Sequence, residues 1–357
     1  MGILITGGAG FIGSALVRHL VLDAEVAVAN VDALTYAGNL ESLADAREHP
    51  RHHFSHVDIG DAAAVRAVFE RERPEAVIHL AAESHVDRSI DGPGAFVRTN
   101  VAGTFTLLQE ATRHWRSLPS EAAARFRLLH VSTDEVYGSL GVNGHFTELS
   151  PYQPHSPYAA SKAAADHLVR AWVHTYGFPA LITNCSNNYG PYQFPEKLIP
   201  LSILKGLLAE PMPVYGRGEN VRDWLHVEDH VNALRVVLER GRIGETYLVG
   251  GAGGEQFNRE VVEAIADLLD AHAEPLPDGR RRRELITFVT DRPGHDYRYA
   301  IDSTKLRREL GWRPQHTFAS GLRNTVRWYV THREWWERVR SGAYQGERLG
   351  LALQPRA

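Results

Sequence analysis

Cysteine is almost absent from this sequence, because Cys185 is the single one among 357 residues. A disulfide bond within the chain is therefore impossible, and a reducing compartment is expected rather than a secreted location. No apolar run reaches the roughly 18 residues that a membrane-spanning helix needs. The first residues, MGILITGGAG, also lack the basic leader and apolar core of a secretory signal. Together these absences predict a soluble, cytoplasmic protein.

An excess of charge of either sign is also lacking, since the formal net charge at pH 7 is −4. A chain without a basic excess has no electrostatic footprint for nucleic acid or for an anionic membrane, so neither is expected as a partner. Hydrophobic residues make up 43% and charged residues 23%, which indicates an ordinary globular protein. At this length the sequence favours one large domain with a smaller lobe.

Short β-rich segments alternate with helical stretches along the first half of the chain. The predicted strands are ILIT, VAVANV, HHFSHV, AVIHLA, RLLHVS and PALITN. Between them the patterns predict helices over residues 13–22, 62–73 and 100–115. This order indicates βαβ units, and hence an α/β fold with a doubly wound parallel sheet. After Asn188 the prolines become frequent, which indicates a second, smaller C-terminal lobe.

The second half of the chain is expected to contribute to both parts of the molecule. LHVEDHVNALRVVLERG predicts a helix and ETYLVGG a strand, so the chain should return to the sheet domain at about residues 226–256. The division is then 1–190 for the sheet domain, and 191–225 and 257–340 for the lobe. The run Arg280 to Arg283 predicts a solvated loop before a strand. The tail HREWWERVRSGAYQGERLG is expected to be helical and to pack its tryptophans on the lobe.

Three glycines, Gly7, Gly10 and Gly13, follow the first predicted strand at the spacing G-x-x-G-x-x-G. Such glycines allow positive φ and let backbone amides approach a pyrophosphate, whose charge is favoured at the next helix N-terminus. Asp32 ends the second strand, where an acid binds the ribose hydroxyls and repels a 2′-phosphate. The pattern predicts a Rossmann-type domain that binds NAD. Asp58, closing the third strand, is a candidate adenine contact, with a helix N-cap as its alternative role.

Two further motifs supply candidate catalytic groups. In SPYAASK, Tyr158 and Lys162 are four residues apart, which places both on one helix face. A nearby ammonium and a positive nicotinamide favour the phenolate, so Tyr158 is a candidate to accept a proton from an alcohol. In HVSTDEVYG, Thr133 can hydrogen-bond the same alcohol, and the adjacent acids Asp134 and Glu135 follow it. Because these residues converge with the glycine turn, a solvated turn is the weaker interpretation of the acid pair.

These motifs resemble those of the extended short-chain dehydrogenase/reductase superfamily, which acts on nucleotide sugars. Within it, the sequence is most similar to the dTDP-glucose 4,6-dehydratase family. The blocks that carry this resemblance reach from the N-terminus to about residue 320. They are TGGAGFIG, NVDALTYAGNLESL, HLAAESHVDRSI, STDEVYGSLG, YAASK, NCSNNYGPYQFPEKLIPL, RDWLHVEDH and DRPGHDYRYAID.

The resemblance implies a redox-neutral dehydration to a 4-keto-6-deoxy sugar. Oxidation at C4 of the hexose, with NAD as acceptor, acidifies the C5 proton. Elimination then needs one group to remove that proton and another to protonate the departing C6 hydroxyl. By resemblance, Glu135 is the base and Asp134 the acid, and hydride then returns to C6. Adjacent carboxyl groups suit this task, since like charge and desolvation push their proton affinities apart.

The resemblance also implies which residues hold the ligands. Residues expected to bind NAD are Gly7, Gly10, Phe11, Ile12, Gly13, Asp32, Ala33, Leu34, Thr35, Asp58, Ile59, Leu80, Ala81, Ala82, Ser84, Thr99, Tyr158, Lys162 and Asn188. Residues expected to bind the nucleotide sugar are Ser84, Thr133, Asn187, Lys197, Leu198, Pro213, Val214, Tyr215, Arg222, Asn258, Asp291, Arg292, Pro293, Gly294 and His295. Arg222 and Lys197 are suited to a diphosphate. A homodimer is expected through helices at about residues 100–114 and 158–176.

Alternative functions stay open at this point. A nucleotide-sugar 4-epimerase would share the glycine turn, Tyr158 and Lys162, but it needs no acid–base pair for elimination. Dehydratases of GDP-mannose have a hydroxyl residue where Asp134 stands, which disfavours that substrate. A catalytically silent NAD-binding protein is disfavoured by the intact catalytic set. Thymine and uracil differ by one methyl group, about 1–3 kcal/mol of discrimination, and the residues do not decide between them.

No metal site is expected from the sequence. The histidines in HHFSH lie in a strand pattern without carboxylate or cysteine support, so they are interpreted as strand or surface residues.

Overall fold

Seven parallel strands form the central sheet of the protein. The computed structural model describes residues 2–252, 255–291 and 294–341. The order across the sheet is β10-β6-β5-β4-β1-β2-β3. Its strands are β1 (Gly2–Thr6), β2 (Ala27–Asp32), β3 (His52–His56), β4 (Ala76–His79), β5 (Arg127–Thr133), β6 (Ala180–Cys185) and β10 (Thr246–Val249). Neighbouring strands in this order all pair in parallel, which confirms the expected α/β, Rossmann-type fold.

The sheet is buried on both faces because helices cover it. All four residues of β4 and all six of β6 are buried, as expected for strands that read as continuous apolar runs. The chain order reverses between β1 and β4, so the loops that follow these strands diverge and leave a crevice at the carboxyl edge of the sheet. That crevice is where an open α/β sheet binds its ligands.

Thirteen α-helices lie within the described residues. They are α1 (Phe11–Arg18), α2 (Ala62–Glu72), α3 (Val86–Asp91), α4 (Pro93–Phe96), α5 (Thr104–Ser117), α6 (Ser120–Arg125), α7 (Pro157–Tyr176), α8 (Leu198–Leu207), α9 (Val227–Arg240), α10 (Asn258–His272), α11 (Thr304–Leu310), α12 (Phe318–Thr331) and α13 (Arg333–Arg340). Short 3₁₀ segments cover Leu40–Ala46, Asp134–Tyr137 and Arg282–Leu285. None of the helices in the described ranges is long and apolar enough to cross a membrane.

Two predicted helices differ from those observed at their ends. The helix predicted from residue 13 begins at Phe11 and passes into a π-helical turn over His19–Asp23. The stretch predicted from residue 100 begins with a π-helical turn over Val97–Gly103, and α5 follows it. Inside that turn, the Asn100 side chain bonds the backbone of Glu83 and the hydroxyl of Ser161. These tertiary contacts are invisible to helical periodicity.

The C-terminal lobe has two small sheets and its own core. One sheet has the order β11-β9-β7, from β7 (Asn187–Tyr189), β9 (Val221–His226) and β11 (Glu255–Phe257). The other pairs β8 (Met212–Tyr215) with β12 (Ile286–Val289). Apolar residues of α8, α10 and α12 form the core, and Trp335 and Trp336 of α13 complete it. The expected packing of the tail tryptophans is thus confirmed, whereas residues 342–357 lie outside the described part.

In the arginine run from Arg280 to Arg283, three side chains are exposed before strand β12, as predicted, but Arg282 is not. Arg282 is buried at 3% exposure and belongs to a 3₁₀ turn. Its guanidinium donates to the Gly206 carbonyl at 3.0 Å and to Asp270 at 3.0 Å. The prediction was wrong for this residue because a buried guanidinium is tolerated when its donors are satisfied, and the acceptors come from other elements.

Candidate active site

The acid pair lies at the carboxyl edge of the central sheet. Strand β5 ends at Thr133, and the next residues turn at once into the 3₁₀ segment Asp134–Tyr137. The Thr133 hydroxyl oxygen accepts from the Glu135 amide at 3.3 Å and so caps this turn. The turn holds two adjacent carboxyl groups where the crevice opens.

The two carboxyl groups sit in different environments. Asp134 is 2% exposed, whereas Glu135 is partly exposed. Asp134 Oδ1 accepts from the Thr133 hydroxyl at 3.3 Å, while its Oδ2 has no hydrogen-bond partner among the described residues. Burial raises the pKa of Asp134 well above its ordinary value, and the charges of Glu135 and Asp223 add to this, against the opposing effect of Arg222. A raised pKa favours the protonated form of this carboxyl group.

Tyr158 and Lys162 enter the site from α7. Ser156 caps the helix, since its hydroxyl oxygen accepts from the Ala159 amide at 3.0 Å, and Pro157 occupies the first turn. Both side chains are buried, at 8% and 5% exposure. The helical spacing predicted one shared face, and both residues contact the end of β5. Lys162 Nζ donates to the Val131 carbonyl at 2.8 Å.

The expected lowering of the Tyr158 pKa is not found in the protein alone. Burial raises that pKa well above its ordinary value, the charge of Glu135 raises it further, and a hydrogen bond with Thr133 opposes this. Lys162 offsets this increase only weakly, because its ammonium donates to the β5 backbone and burial lowers the pKa of Lys162 itself. The positive charge that favours a phenolate must therefore come in large part from a bound ligand.

A buried polar network beneath the site was not predicted from the sequence. Asp166 of α7 is fully buried and accepts from the hydroxyls of Ser132 at 2.9 Å and Tyr152 at 2.8 Å. His130 Nε2 lies 3.1 Å from the same carboxylate. Burial alone would raise the pKa of Asp166, but His130 and Lys162 lower it overall. The i+4 spacing from Lys162 to Asp166 was the available signal.

The glycine turn forms a cradle with no room for side chains. Gly7 adopts φ of 75°, and a Cβ there would lie 2.6 Å from the Ala81 amide nitrogen. A Cβ on Gly13 would lie 2.7 Å from Gly8 Cα and still closer to the Gly7 carbonyl. The Asp32 carboxylate accepts from the amides of Ala9 and Leu34 at 2.9 and 2.8 Å. An acid fixed beside a bare backbone turn fits the ribose and pyrophosphate of NAD.

Other residues expected at the cofactor site lie around the same edge. Phe11 and Ile12 open α1, and Ala33, Leu34 and Thr35 follow β2. Leu80, Ala81, Ala82 and Ser84 follow β4, Ile59 follows Asp58, and Thr99 lies in the π-helical turn. Asp58 accepts from the Gly60 amide at 2.8 Å, while Asp61 is the N-cap of α2, so the alternative capping role of Asp58 is wrong. Asn188 bonds His230, Ser186 and Cys185 within the protein.

Residues expected to hold the substrate form two connected groups. Lys197 Nζ donates to the Ser84 carbonyl at 2.8 Å, which joins the lobe to the loop after β4. His295 Nδ1 lies 2.6 Å from the Asp291 carboxylate, and its ring contacts Tyr215.

Arg222 links the lobe to the acid pair. It is 5% exposed and its guanidinium donates to the backbone oxygens of Val221 and Asp296. The same group stacks 4.4 Å from the centre of the Tyr299 ring. Its charge reaches Asp134, whose pKa it lowers against the effect of burial.

The remaining residues that were expected to bind the substrate differ in whether their side chains can reach a ligand. Asn187 and Asn258 each keep a buried amide oxygen without a partner among the described residues, which leaves an acceptor free for a ligand. Val214 is fully buried in the lobe core and Leu198 packs against that core, so the Val214 side chain cannot face a ligand. Pro213 precedes it on β8, and Gly294 adopts φ of 65°. Arg292 and Pro293 lie outside the described residues.

Comparisons with known proteins agree with this geometry. The family model described as GDP-mannose 4,6 dehydratase matches residues 4–325. The chain is 59% identical over 350 residues to the dTDP-glucose 4,6-dehydratase of Neisseria meningitidis serogroup B, covering 98% of each. It is 48% identical, with a TM-score of 0.86, to the Streptomyces venezuelae dTDP-glucose 4,6-dehydratase solved with NAD and dTDP, covering 95% of this chain and 100% of that one.

A 4-epimerase shares the fold at a lower identity. The UDP-glucose 4-epimerase of Thermus thermophilus, solved with NAD, is 30% identical, with a TM-score of 0.80 over 93% of this chain and 100% of that one. Dehydratases are thus matched at much higher identity than this epimerase. The chain belongs to the dTDP-glucose 4,6-dehydratase family of the extended short-chain dehydrogenase/reductase superfamily.

Proposed function

We infer that the protein is a hydro-lyase that converts dTDP-glucose to dTDP-4-keto-6-deoxyglucose with tightly bound NAD. Support comes from curated dehydratases that match over almost the whole chain, and from solved relatives that hold NAD and dTDP. The single observation that carries the mechanism is the contrast between Asp134 and Glu135. They are adjacent, yet Asp134 is buried and has a raised pKa, whereas Glu135 is partly exposed.

The glycine turn and Asp32 would hold the cofactor. NAD, when bound, supplies the acceptor and later the donor of the hydride, and a positive nicotinamide ring. The bare amides of the turn would face the pyrophosphate, and Asp32 the ribose. Asp32 also disfavours NADP, because a carboxylate repels the 2′-phosphate.

In the first step, Tyr158 takes the proton of the sugar's C4 hydroxyl. Thr133 donates a hydrogen bond to the same oxygen and keeps it near the phenol. Lys162, which is buried on the same face of α7 as Tyr158, stabilises the phenolate, with Asp166 as its counter-ion. The β5 carbonyl of Val131 fixes the ammonium, so the group is oriented before the substrate arrives.

In the second step, the acid pair eliminates water. Glu135 removes the C5 proton, which the C4 ketone has made acidic, and Asp134 protonates the C6 hydroxyl as it departs. Each group must begin in the protonation state that its task requires. The raised pKa of the buried Asp134 favours the protonated form that an acid needs, and the more exposed Glu135 is suited to the role of base. Afterwards, return of hydride to C6 and reprotonation of C5 complete a redox-neutral reaction.

The nucleotide would be held by the lobe and by the segment that leads into it. Arg222 and Lys197 supply positive charge for the diphosphate, and the free amide oxygens of Asn187 and Asn258 supply acceptors. Our proposed division assigns residues 1–190 and about 226–256 to the cofactor domain. Residues 191–225 and 257–340 form the nucleotide-sugar lobe.

Turnover in deuterated water distinguishes the dehydratase from its alternatives. The purified protein is incubated with dTDP-glucose without added reductant, and the product is examined by NMR and mass spectrometry. We expect a 4-keto-6-deoxy product with deuterium at C5. Formation of dTDP-galactose would establish the epimerase instead, and absence of turnover would favour a silent NAD-binding protein. UDP-glucose, used in parallel, measures the preference for thymine over uracil.

We also propose that the protein is a homodimer in the cytoplasm. Helices α5 and α7 expose an aromatic patch in which Phe105 contacts Trp172 and Trp172 contacts Tyr176. Phe105 is 39% and Tyr176 46% exposed, so pairing two copies through these helices would remove apolar surface from water. Light scattering after gel filtration should give twice the 39.8 kDa chain mass. A monomer at micromolar concentration would remove the dimer.

A further inference from the structure

Two histidines and a glutamate converge where β9 meets α9. His226 ends β9, Glu228 lies in the first turn of α9, and His316 comes from the segment before α12. One ligand atom of each lies within 4.8 Å of the other two. Glu228 Oε2 is 3.5 Å from His316 Nε2 and 3.9 Å from His226 Nδ1. None of these residues belongs to the proposed catalytic, cofactor or substrate set.

His226 is a buried polar side chain that the fold leaves without a partner. Its side chain is 2% exposed. Neither ring nitrogen has a hydrogen-bond partner among the described residues. Its ring is packed between Tyr189, with centroids 5.4 Å apart, and His316, at 4.1 Å. A buried imidazole without a hydrogen-bond partner lowers the stability of the folded protein unless a ligand binds it. This position is therefore suited to a ligand.

His316 is oriented by a second carboxylate. Its Nδ1 lies 3.2 Å from Asp229 Oδ2, and the same carboxylate accepts from the His316 amide at 3.0 Å. A proton on Nδ1 leaves the Nε2 lone pair directed toward Glu228. This arrangement of carboxylate, histidine and open nitrogen is the usual support of a metal-ligating histidine.

The distances and donor types suit a transition metal. Zn²⁺ binds histidine nitrogen and carboxylate oxygen at about 2.0–2.2 Å, which separates tetrahedral ligands by about 3.4 Å. Two of the three separations are already 3.5 and 3.9 Å, so a small closure brings the ligand atoms to that spacing. Glu228 is 67% exposed and therefore gives the ion and a fourth ligand, water, access from solvent.

We propose that His226, Glu228 and His316 bind a divalent transition metal ion, with Zn²⁺ the best match to two imidazoles and one carboxylate. The ion would tie the segment before α12 to the junction of β9 and α9. Arg18 also faces Glu228 and competes for its charge.

The test is Zn²⁺ binding to the untagged, full-length NAD enzyme after treatment with a chelator. Isothermal titration calorimetry is expected to give one Zn²⁺ per chain. His316→Gln and Glu228→Gln should each weaken binding by at least about tenfold, and Asp229→Asn by about 10–100-fold. Co²⁺ in place of Zn²⁺ should give the visible absorption of a tetrahedral site in the wild type, and lose it in His316→Gln.

His53→Gln is the matched control. His53 also lies beside a glutamate, with Nδ1 3.2 Å from Glu72, but it is 65% exposed and no third ligand joins the pair in the part of the chain that the structure describes. This variant should bind Zn²⁺ like the wild type. Circular dichroism of each metal-free variant checks that it folds. The proposal is overturned if the wild type binds less than one equivalent, or if folded His316→Gln and Glu228→Gln bind Zn²⁺ as tightly as the control.

Discussion

Replacing Asp134 by asparagine removes the proposed proton donor while keeping the size of the side chain. The native carboxyl group is 2% exposed and its Oδ2 has no partner among the described residues, so bulk water is poorly placed to substitute for it. General acid catalysis contributes about 10²–10⁴-fold, which corresponds to about 2.7–5.4 kcal/mol of barrier. We therefore expect kcat for formation of the 4-keto-6-deoxy product to decrease by a factor in this range, close to its upper end.

The same substitution should not destabilise the protein. The folded-state pKa of Asp134 is raised, so its contribution to stability is fully present below its ordinary pKa of 3.8 and is lost as pH rises through the folded value. An amide has no such loss. The Tm of Asp134→Asn relative to the wild type should therefore increase as pH rises from 5 to 8.

Steady-state product assays and thermal denaturation at several pH values measure both effects. The wild type serves as the reference at each pH, since all other titrating groups are common to both proteins. Product formation within about tenfold of the wild type would refute Asp134 as the acid. A Tm difference that does not change with pH would refute the raised pKa.

Glu135→Gln should still reduce the bound NAD in a single turnover, seen by its near-ultraviolet absorbance, but should release no water; unimpaired product formation would exclude Glu135 as the base. Gly13→Ala should lose bound NAD, because its Cβ meets backbone, whereas Gly141→Ala, with nothing within 4 Å, should retain it; equal NAD content after purification would count against the cradle. Asp166→Asn should cost about 3–5 kcal/mol of unfolding free energy at pH 7, since it leaves the buried ammonium group of Lys162 uncompensated. Because the Asp166 pKa is lowered in the fold, that deficit should shrink as pH falls through this lowered value; urea denaturation that gives a pH-independent deficit would contradict this.

Local sequence patterns were sufficient to predict much of the fold and of the candidate site. The strand and helix periods, the glycine spacing after β1 and the four-residue offset of Tyr158 and Lys162 are properties of short segments. Their physical basis is local: alternation and helical pitch fix which side chains share a face. The fold and NAD binding predicted from these features are confirmed, while the individual roles of the site residues remain proposals.

The burial and the charged neighbours of individual side chains could not be predicted in the same way. The raised pKa of Tyr158 depends on burial and on the charge of Glu135 rather than on the helical partner Lys162. Arg282, within a run that indicated a solvated loop, is buried because acceptors from α8 and α10 surround it. Each outcome depends on residues that are distant along the chain.

The amino-acid sequence by itself determined a parallel α/β sheet, a glycine cradle for NAD and an acid pair beside a tyrosine and lysine, because these follow from spacing within single elements. Only the tertiary structure decided that Asp134 is buried while its neighbour Glu135 is not. It alone also brought His316 to His226 across 90 residues of chain. Desolvation and the field of neighbouring charges depend on how elements pack, and packing is a property of the whole fold.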